Sequence, residues 1–170
     1  MSIILGLDPG SRVTGFGVLK VSARSIQAVS YGVIELDVTA GFPQRMVELS
    51  AGIEQILKKY KPEAVVIEKI FLGKNADSAF KLGHARGVLM CEAAKTGAAV
   101  YEYATRVVKK SLTGKGSGGK DEVQHMVQKL LGIREIKKQD ASDALAMALH
   151  HAYMVMSAEH VTKKILEVEL

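Results

Sequence analysis

Residues 2–10, Ser-Ile-Ile-Leu-Gly-Leu-Asp-Pro-Gly, give the strongest indication of the fold. Its apolar run predicts a buried strand over Ser2–Asp8, because Asp8-Pro9-Gly10 is a turn signature that ends a strand and exposes what precedes it. The pattern of a buried strand that ends in an acid recurs at residues 64–68, Ala-Val-Val-Ile-Glu. That run is apolar on both parities, as expected of a central parallel strand covered on both faces.

The remaining chain predicts three more strands and four helices around these two strands. The strands are expected over 13–21, 26–36 and 98–103, and the first two should form an antiparallel meander with Ser2–Asp8. The helices are expected over 43–59, 76–95, 121–131 and 140–156. We therefore expect one α/β domain, residues 1–156, followed by a charged, frayed tail, residues 157–170.

The composition indicates a globular protein of a reducing compartment. The chain has 170 residues, 48% of them hydrophobic, which is enough for a core in one domain. The single cysteine, Cys91, cannot form an internal disulfide and is expected to be a buried small residue. No basic leader with an apolar segment is seen at the N-terminus, and the apolar stretch over 144–156 is too short to span a bilayer. A cytoplasmic location without a membrane segment is the expectation.

The excess of positive charge is confined to one glycine-rich segment, residues 106–120. The formal net charge is +5, and this segment holds five basic residues and no acid, whereas the rest of the chain has 18 of each sign. Its glycines predict a mobile loop. A basic loop of this kind is typical of a surface that binds phosphates; the basic residues are Arg106, Lys109, Lys110, Lys115 and Lys120.

Four acids form the candidate site: Asp8, Glu68, Asp140 and Asp143. Asp8 and Glu68 would meet at one sheet edge if their strands are parallel neighbours. Asp140 and Asp143 are three residues apart and project from the same face of a helix. Gathered acids repel one another, and hard divalent cations with oxygen ligands relieve that repulsion. The pattern predicts a site for Mg²⁺, with Mn²⁺ possible, and we hypothesise that the four acids hold two such ions per subunit.

Each acid also has an ordinary structural explanation. Asp8 could open a turn, Glu68 could be an exposed strand end, and Asp140 and Asp143 could cap a helix and complement its dipole. The hypothesis of a metal site depends on all four acids converging.

Several stretches of the sequence resemble the RuvC family of Holliday junction resolvases. They are Gly6–Ser11 with Thr14-Gly15, then 67–71, 74–79, 123–127 and 140–146, in the family's order. The resemblance extends to about Tyr153. It implies a ribonuclease H-like fold with a mixed five-stranded sheet flanked by helices, a homodimer, four-way junction DNA as the substrate, and branch-migration proteins of the Ruv complex as partners.

The resemblance also implies roles for individual residues. Asp8, Glu68, Asp140 and Asp143 become the metal-binding catalytic set, and Phe71 becomes the aromatic that stacks on bases at the junction centre. Lys109 and Lys120 are then expected to contact the scissile backbone. Ala79, Gly83 and Gly87 would lie on the helix that packs the dimer, where small residues allow another backbone to approach closely. No role transfers to Lys115, and Phe71 could also be an ordinary core aromatic.

Two other classes of protein share parts of the pattern. An actin-like ATP-binding protein also uses a strand that ends in Asp-x-Gly, but 170 residues do not supply its second, duplicated domain. A non-catalytic junction-binding module would share the basic segment but has no use for four acids. The match of residues 114–120 to a nucleotide-binding phosphate loop is incomplete, because Asp121 stands where Ser or Thr is needed.

Overall fold

The structure is a computed structural model that describes residues 1–69, 76–114 and 119–168. Five strands and five helices follow one another along this described part of the chain. In chain order they are β1 Ser2–Asp8, β2 Val13–Ser22, β3 Ser25–Glu35, α1 Phe42–Tyr60, β4 Ala64–Glu68, α2 Ala76–Lys95, β5 Ala99–Tyr103, α3 Thr105–Thr113, α4 Lys120–Leu131 and α5 Gln139–Val168.

The strands form one mixed sheet in the order β3-β2-β1-β4-β5. β1 and β2 pair antiparallel, as do β2 and β3, whereas β4 runs parallel to both β1 and β5. This confirms the mixed five-stranded sheet and the opening meander. Leu7 is in register with Ile67. The acids that follow these two residues, Asp8 and Glu68, therefore end neighbouring strands at the same edge of the sheet.

Helices cover both faces of the sheet. Helices α1 and α2 pack on one face, against the core that contains Leu5, Leu7 and Ile67. Helices α3, α4 and α5 pack on the other face, around Ile4 and Val66. Because side chains alternate across a strand, burial on both faces explains why the interiors of β1 and β4 carry no alternating polar residues.

Helix α5 lies directly on β1 and β2, at positions where those strands carry glycine. A Cβ added at Gly6 would overlap the carbonyl oxygen of Ala144, and one at Gly15 would overlap that of Asp140. At Gly17 it would collide with Leu145. Only residues without a side chain allow a helix to approach a sheet this closely. The glycines of β1 and β2 thus set the position of the helix that carries two of the acids.

Two boundaries differ from the sequence prediction. The first part of the basic segment is not a loop: it forms helix α3, which buries Val108 and Leu112 and ends at Gly114 in the left-handed conformation. The spacing of four between these two apolar residues is the helical signal that the lysines around them obscured. Helix α5 continues to Val168, past its predicted end at Met156. The division into residues 1–156 and 157–170 stays a prediction.

Within the described residues, none of the helices combines the length and the apolar character that crossing a bilayer requires.

Candidate active site

A tight turn holds Asp8 at the end of β1. The side chain of Thr14, fully buried, accepts a hydrogen bond from the Gly10 backbone N–H (3.2 Å) and donates one to the Gly10 carbonyl oxygen (3.0 Å). A side chain at position 10 would overlap the Val13 carbonyl oxygen, so the turn requires glycine there. These constraints give Asp8 a fixed place beside β4.

Glu68 ends β4 and is held from two helices. The hydroxyl group of Thr105, the first residue of α3, donates a hydrogen bond to Glu68 Oε1. Arg86 of α2 donates from Nε to the Glu68 carbonyl oxygen (3.3 Å) and pairs with Glu102 of β5. The Lys69 backbone N–H continues the pairing with β5 through the Tyr103 carbonyl oxygen (2.8 Å).

Asp140 lies in the first turn of α5 and Asp143 follows it by three residues, and both line the cavity at the end of β1. The close contact between Gly15 and the Asp140 backbone sets how near this turn comes to the sheet. Gln139 Nε2 donates a hydrogen bond to Asp143 Oδ1 (3.2 Å), which restrains the Asp143 carboxylate.

All four acids line one cavity of about 180 Å³ at this edge of the sheet. Its polar wall also includes Thr105 and Lys109, and its apolar wall is formed by Val108, Val123, Ala146 and Met147. The sequence predicted that the four acids would gather, and the structure brings them together.

The electrostatics of the cavity show how close the acids are to one another. The pKa of Asp8 is raised from 3.8 to about 8; burial is the largest cause, and the charges of Glu68, Asp143 and Asp140 and a hydrogen bond with Glu68 contribute the rest. In the metal-free protein the Asp8 carboxyl group is therefore mostly protonated at neutral pH.

This donor set suits a hard divalent cation. Carboxylate oxygens are the ligands that Mg²⁺ and Mn²⁺ prefer, and a cation would relieve the repulsion that raises the Asp8 pKa. Among the described residues, no three His, Cys, Asp or Glu side chains already surround one point at ligating distance. The chemistry of the donor set thus fits a hard divalent cation.

The predicted DNA-binding residues fall into four groups. Lys109 lines the cavity with the acids. Arg106 and Lys110 are exposed on the same helix, α3. Lys120 is the first residue of α4, and Phe71 and Lys115 lie outside the described residues.

The small-residue face of α2 is open in the single chain. Gly83 and Gly87 are exposed, and a Cβ added at either would meet nothing within 4 Å in the described structure. Ala79 is half-buried on the same helix. A close approach by another element of the described residues therefore does not explain these glycines.

Cys91 is exposed on α2, which corrects the expectation of a buried residue. It lies one helical turn beyond Gly87, so it belongs to the surface of the helix rather than to the core.

Sequence reasoning missed three contributors to the site: Thr105, Arg86 and Gly15. The first two act on Glu68 from distant parts of the chain, and no local pattern marks such contacts. Gly15 could have been recognised from the sequence, since glycine inside a strand indicates a close approach of another backbone.

The model of the family described as crossover junction endodeoxyribonuclease RuvC matches residues 4–151. The chain belongs to the RuvC family. A RuvC from Bdellovibrio bacteriovorus is 58% identical over 151 residues, which covers 89% of this chain and 90% of the relative. The RuvC of Pasteurella multocida is 45% identical over 162 residues, covering 95% and 85% of the two chains.

Solved structures agree with this assignment. The Thermus thermophilus RuvC structure superimposes with a TM-score of 0.83 at 31% identity, covering 92% of this chain and 96% of that one. T. thermophilus RuvC in complex with Holliday junction substrate gives a TM-score of 0.81 at 30% identity, with 90% and 94% covered. The predicted ribonuclease H-like fold is thereby confirmed. The RuvC family consists of nucleases that depend on divalent metal ions.

Proposed function

We propose that this chain is a structure-specific endonuclease that resolves four-way Holliday junctions by paired, symmetric nicks, in homologous recombination and DNA repair in the cytoplasm. The observation that carries the proposal is the convergence of Asp8, Glu68, Asp140 and Asp143 on one cavity at the sheet edge. Two facts support the substrate: the chain belongs to the RuvC family, and a similar protein was solved with a Holliday junction substrate.

The four acids would hold two divalent ions, Mg²⁺ or Mn²⁺. Such ions, when bound, activate a water molecule and stabilise the leaving oxygen of a phosphodiester. The protein places the acids: Asp8 lies close enough to the other three for their charges to raise its pKa, so the four carboxylates could hold the ions together. The apolar side chains of Val123 and Met147 in the cavity wall would limit the access of water to the four acids and their ions.

The basic residues would bind and position the DNA. Lys109 lies in the cavity wall, where its ammonium group can neutralise the phosphate to be cut. The exposed Arg106 and Lys110 extend the positive surface of α3. Lys120 and Phe71 keep the DNA-binding roles that the resemblance implies, and Lys115 is included only because it belongs to the basic segment. Because phosphate contacts release counterions, junction binding should weaken as salt rises.

The open face of α2 would form a two-fold dimer. The exposed Gly83 and Gly87, with Ala79, leave room for the backbone of a second copy. A two-fold dimer presents two equivalent cavities, which matches the near two-fold symmetry of an opened junction and accounts for paired nicks. Branch-migration proteins of the Ruv complex would be further partners.

The test is a labelled immobile four-way junction incubated with the protein, with and without Mg²⁺. We expect Mg²⁺-dependent nicks at symmetric positions on two strands of like polarity. Asp8→Asn should abolish the nicks and leave junction binding nearly intact. Asp37→Asn is the matched control, because Asp37 is exposed and lies outside the cavity wall. Binding without Mg²⁺-dependent cleavage would instead indicate a junction-binding module, and nicking by the Asp8 variant would refute the role of that residue.

A further inference from the structure

Thr105 is a polar side chain of the cavity wall that the mechanism above does not use. It is the first residue of α3, directly after Ala104, which caps the helix with extended backbone and without a side-chain hydrogen bond. The Thr105 side chain therefore does not cap its own helix. Its hydroxyl group donates instead to Glu68 Oε1, 37 positions earlier in the chain.

Glu68 is restrained at both its backbone and its side chain. Arg86 donates to its carbonyl oxygen, which fixes the end of β4. Its carboxylate hydrogen-bonds Asp8 within the acid cluster and accepts the Thr105 hydroxyl from the helix α3 side. A glutamate side chain has three rotatable bonds, so the backbone contact alone leaves the carboxylate free to swing. Thr105 supplies the contact that limits that swing.

Helix α3 links this contact to the phosphate-binding side of the cavity. Thr105 and Lys109 are four residues apart, so they occupy the same face of the helix, and both line the cavity. The intervening Val108 is buried and anchors the helix in the core. A change at the Thr105 hydroxyl can therefore be made without removing the packing that holds α3 in place.

We propose that Thr105 is a positioning residue: its hydroxyl group holds the Glu68 carboxylate in the orientation that a divalent ion shared with Asp8 requires. This inference rests on the proposed function of the cavity. Outer partners that orient a ligating carboxylate commonly change metal affinity by about 10- to 100-fold. Because Thr105 is exposed, we expect the low end of that range, about 10-fold.

Two substitutions separate the hydroxyl group from the shape of the side chain. Thr105→Val removes the hydroxyl and keeps the branched volume, whereas Thr105→Ser keeps the hydroxyl and removes the methyl group. The matched control is Thr39→Val, because the Thr39 hydroxyl also donates to a carboxylate, that of Asp37 (2.6 Å), in an exposed loop outside the cavity wall.

Mn²⁺ binding to the DNA-free protein is measured by isothermal titration calorimetry, and junction cleavage is measured across a Mg²⁺ titration. For Thr105→Val we expect Mn²⁺ affinity to fall about 10-fold and the Mg²⁺ midpoint to rise by a similar factor. The maximal rate at saturating Mg²⁺ should stay near that of the wild type. Thr105→Ser should restore both values, and Thr39→Val should leave both unchanged.

Unchanged Mn²⁺ affinity in Thr105→Val would overturn the proposal. So would equal losses in the valine and serine variants, because that result assigns the effect to the shape of the helix terminus. If the wild-type protein binds Mn²⁺ and cuts no junction, the proposed function fails, and the Mn²⁺ comparison among the variants still decides the role of Thr105.

Discussion

Replacing Asp8 with asparagine is expected to stabilise the metal-free protein while abolishing cleavage. The environment of Asp8 raises its pKa from 3.8 to about 8, burial being the largest cause. The folded protein therefore holds this proton more tightly than the unfolded chain does. Between about pH 4 and pH 8 the unfolded state binds fewer protons, so the free energy of unfolding falls as pH rises through that interval and levels off above it.

The magnitude follows from the same shift. One pKa unit corresponds to about 1.4 kcal/mol, so a rise from 3.8 to about 8 corresponds to at most roughly 6 kcal/mol of lost stability above pH 8. Water that enters the cavity and movements of neighbouring side chains reduce this value. Asparagine also leaves some hydrogen bonds of the site unmade, at about 1 to 3 kcal/mol. We expect a net gain of about 2 kcal/mol for Asp8→Asn at pH 8.

The assay is urea unfolding in the presence of a chelator, at pH 5 and pH 8. The advantage of Asp8→Asn should be small at pH 5 and grow toward pH 8, and adding Mg²⁺ should stabilise the wild type more than the variant. Asp37→Asn is the control, because hydrogen bonds from Thr39 lower the pKa of Asp37. This substitution should therefore lower the free energy of unfolding, whereas Asp8→Asn should raise it. Equal stability of wild type and Asp8→Asn at pH 8, or an advantage that does not change with pH, would refute the reasoning.

Three other outcomes test the packing of the molecule. Gly15→Ala should destabilise the fold by about 1–3 kcal/mol and lower cleavage sharply, because the added Cβ would overlap the Asp140 carbonyl oxygen. Unfolding and cleavage rates check this prediction, and a stable, active variant would contradict it. Gly83→Leu should yield a folded monomer in sedimentation, and an intact dimer would count against the α2 interface. Burial lowers the pKa of His150 and His151 in the folded protein. As pH falls below about 6.5, these histidines therefore become protonated in the unfolded chain before they do in the folded protein, so the free energy of unfolding falls. The stability advantage of wild type over His151→Phe should therefore shrink from pH 7 to pH 5 in thermal unfolding, where a constant difference would contradict the assignment.

Local patterns were enough to predict most of the fold. The apolar runs that end at Asp8 and Glu68 are strands, and the lack of alternation in residues 64–67 correctly indicated a strand covered on both faces. The spacing of Asp140 and Asp143 correctly placed both on one helix. These features depend on residues near one another in the chain, so local sequence patterns are enough to predict them.

The sequence was weaker where charge obscured a local pattern. The lysines and glycines of residues 106–120 suggested a loop, although Val108 and Leu112 already have the spacing of a helix that packs on the core. Cys91 is exposed because it lies on the outer face of α2, and a single small residue does not reveal which face of its helix is covered.

The sequence by itself determined that four acids end or begin core elements and could meet at one edge of a sheet. Only the tertiary structure decided how they meet: strand register placed Asp8 beside Glu68, and glycines on β1 and β2 let α5 bring its aspartates to them. It also decided that Thr105 reaches Glu68. The physical reason is that these contacts join residues far apart in the chain, so they depend on how whole helices and strands dock and not on the spacing within any one of them.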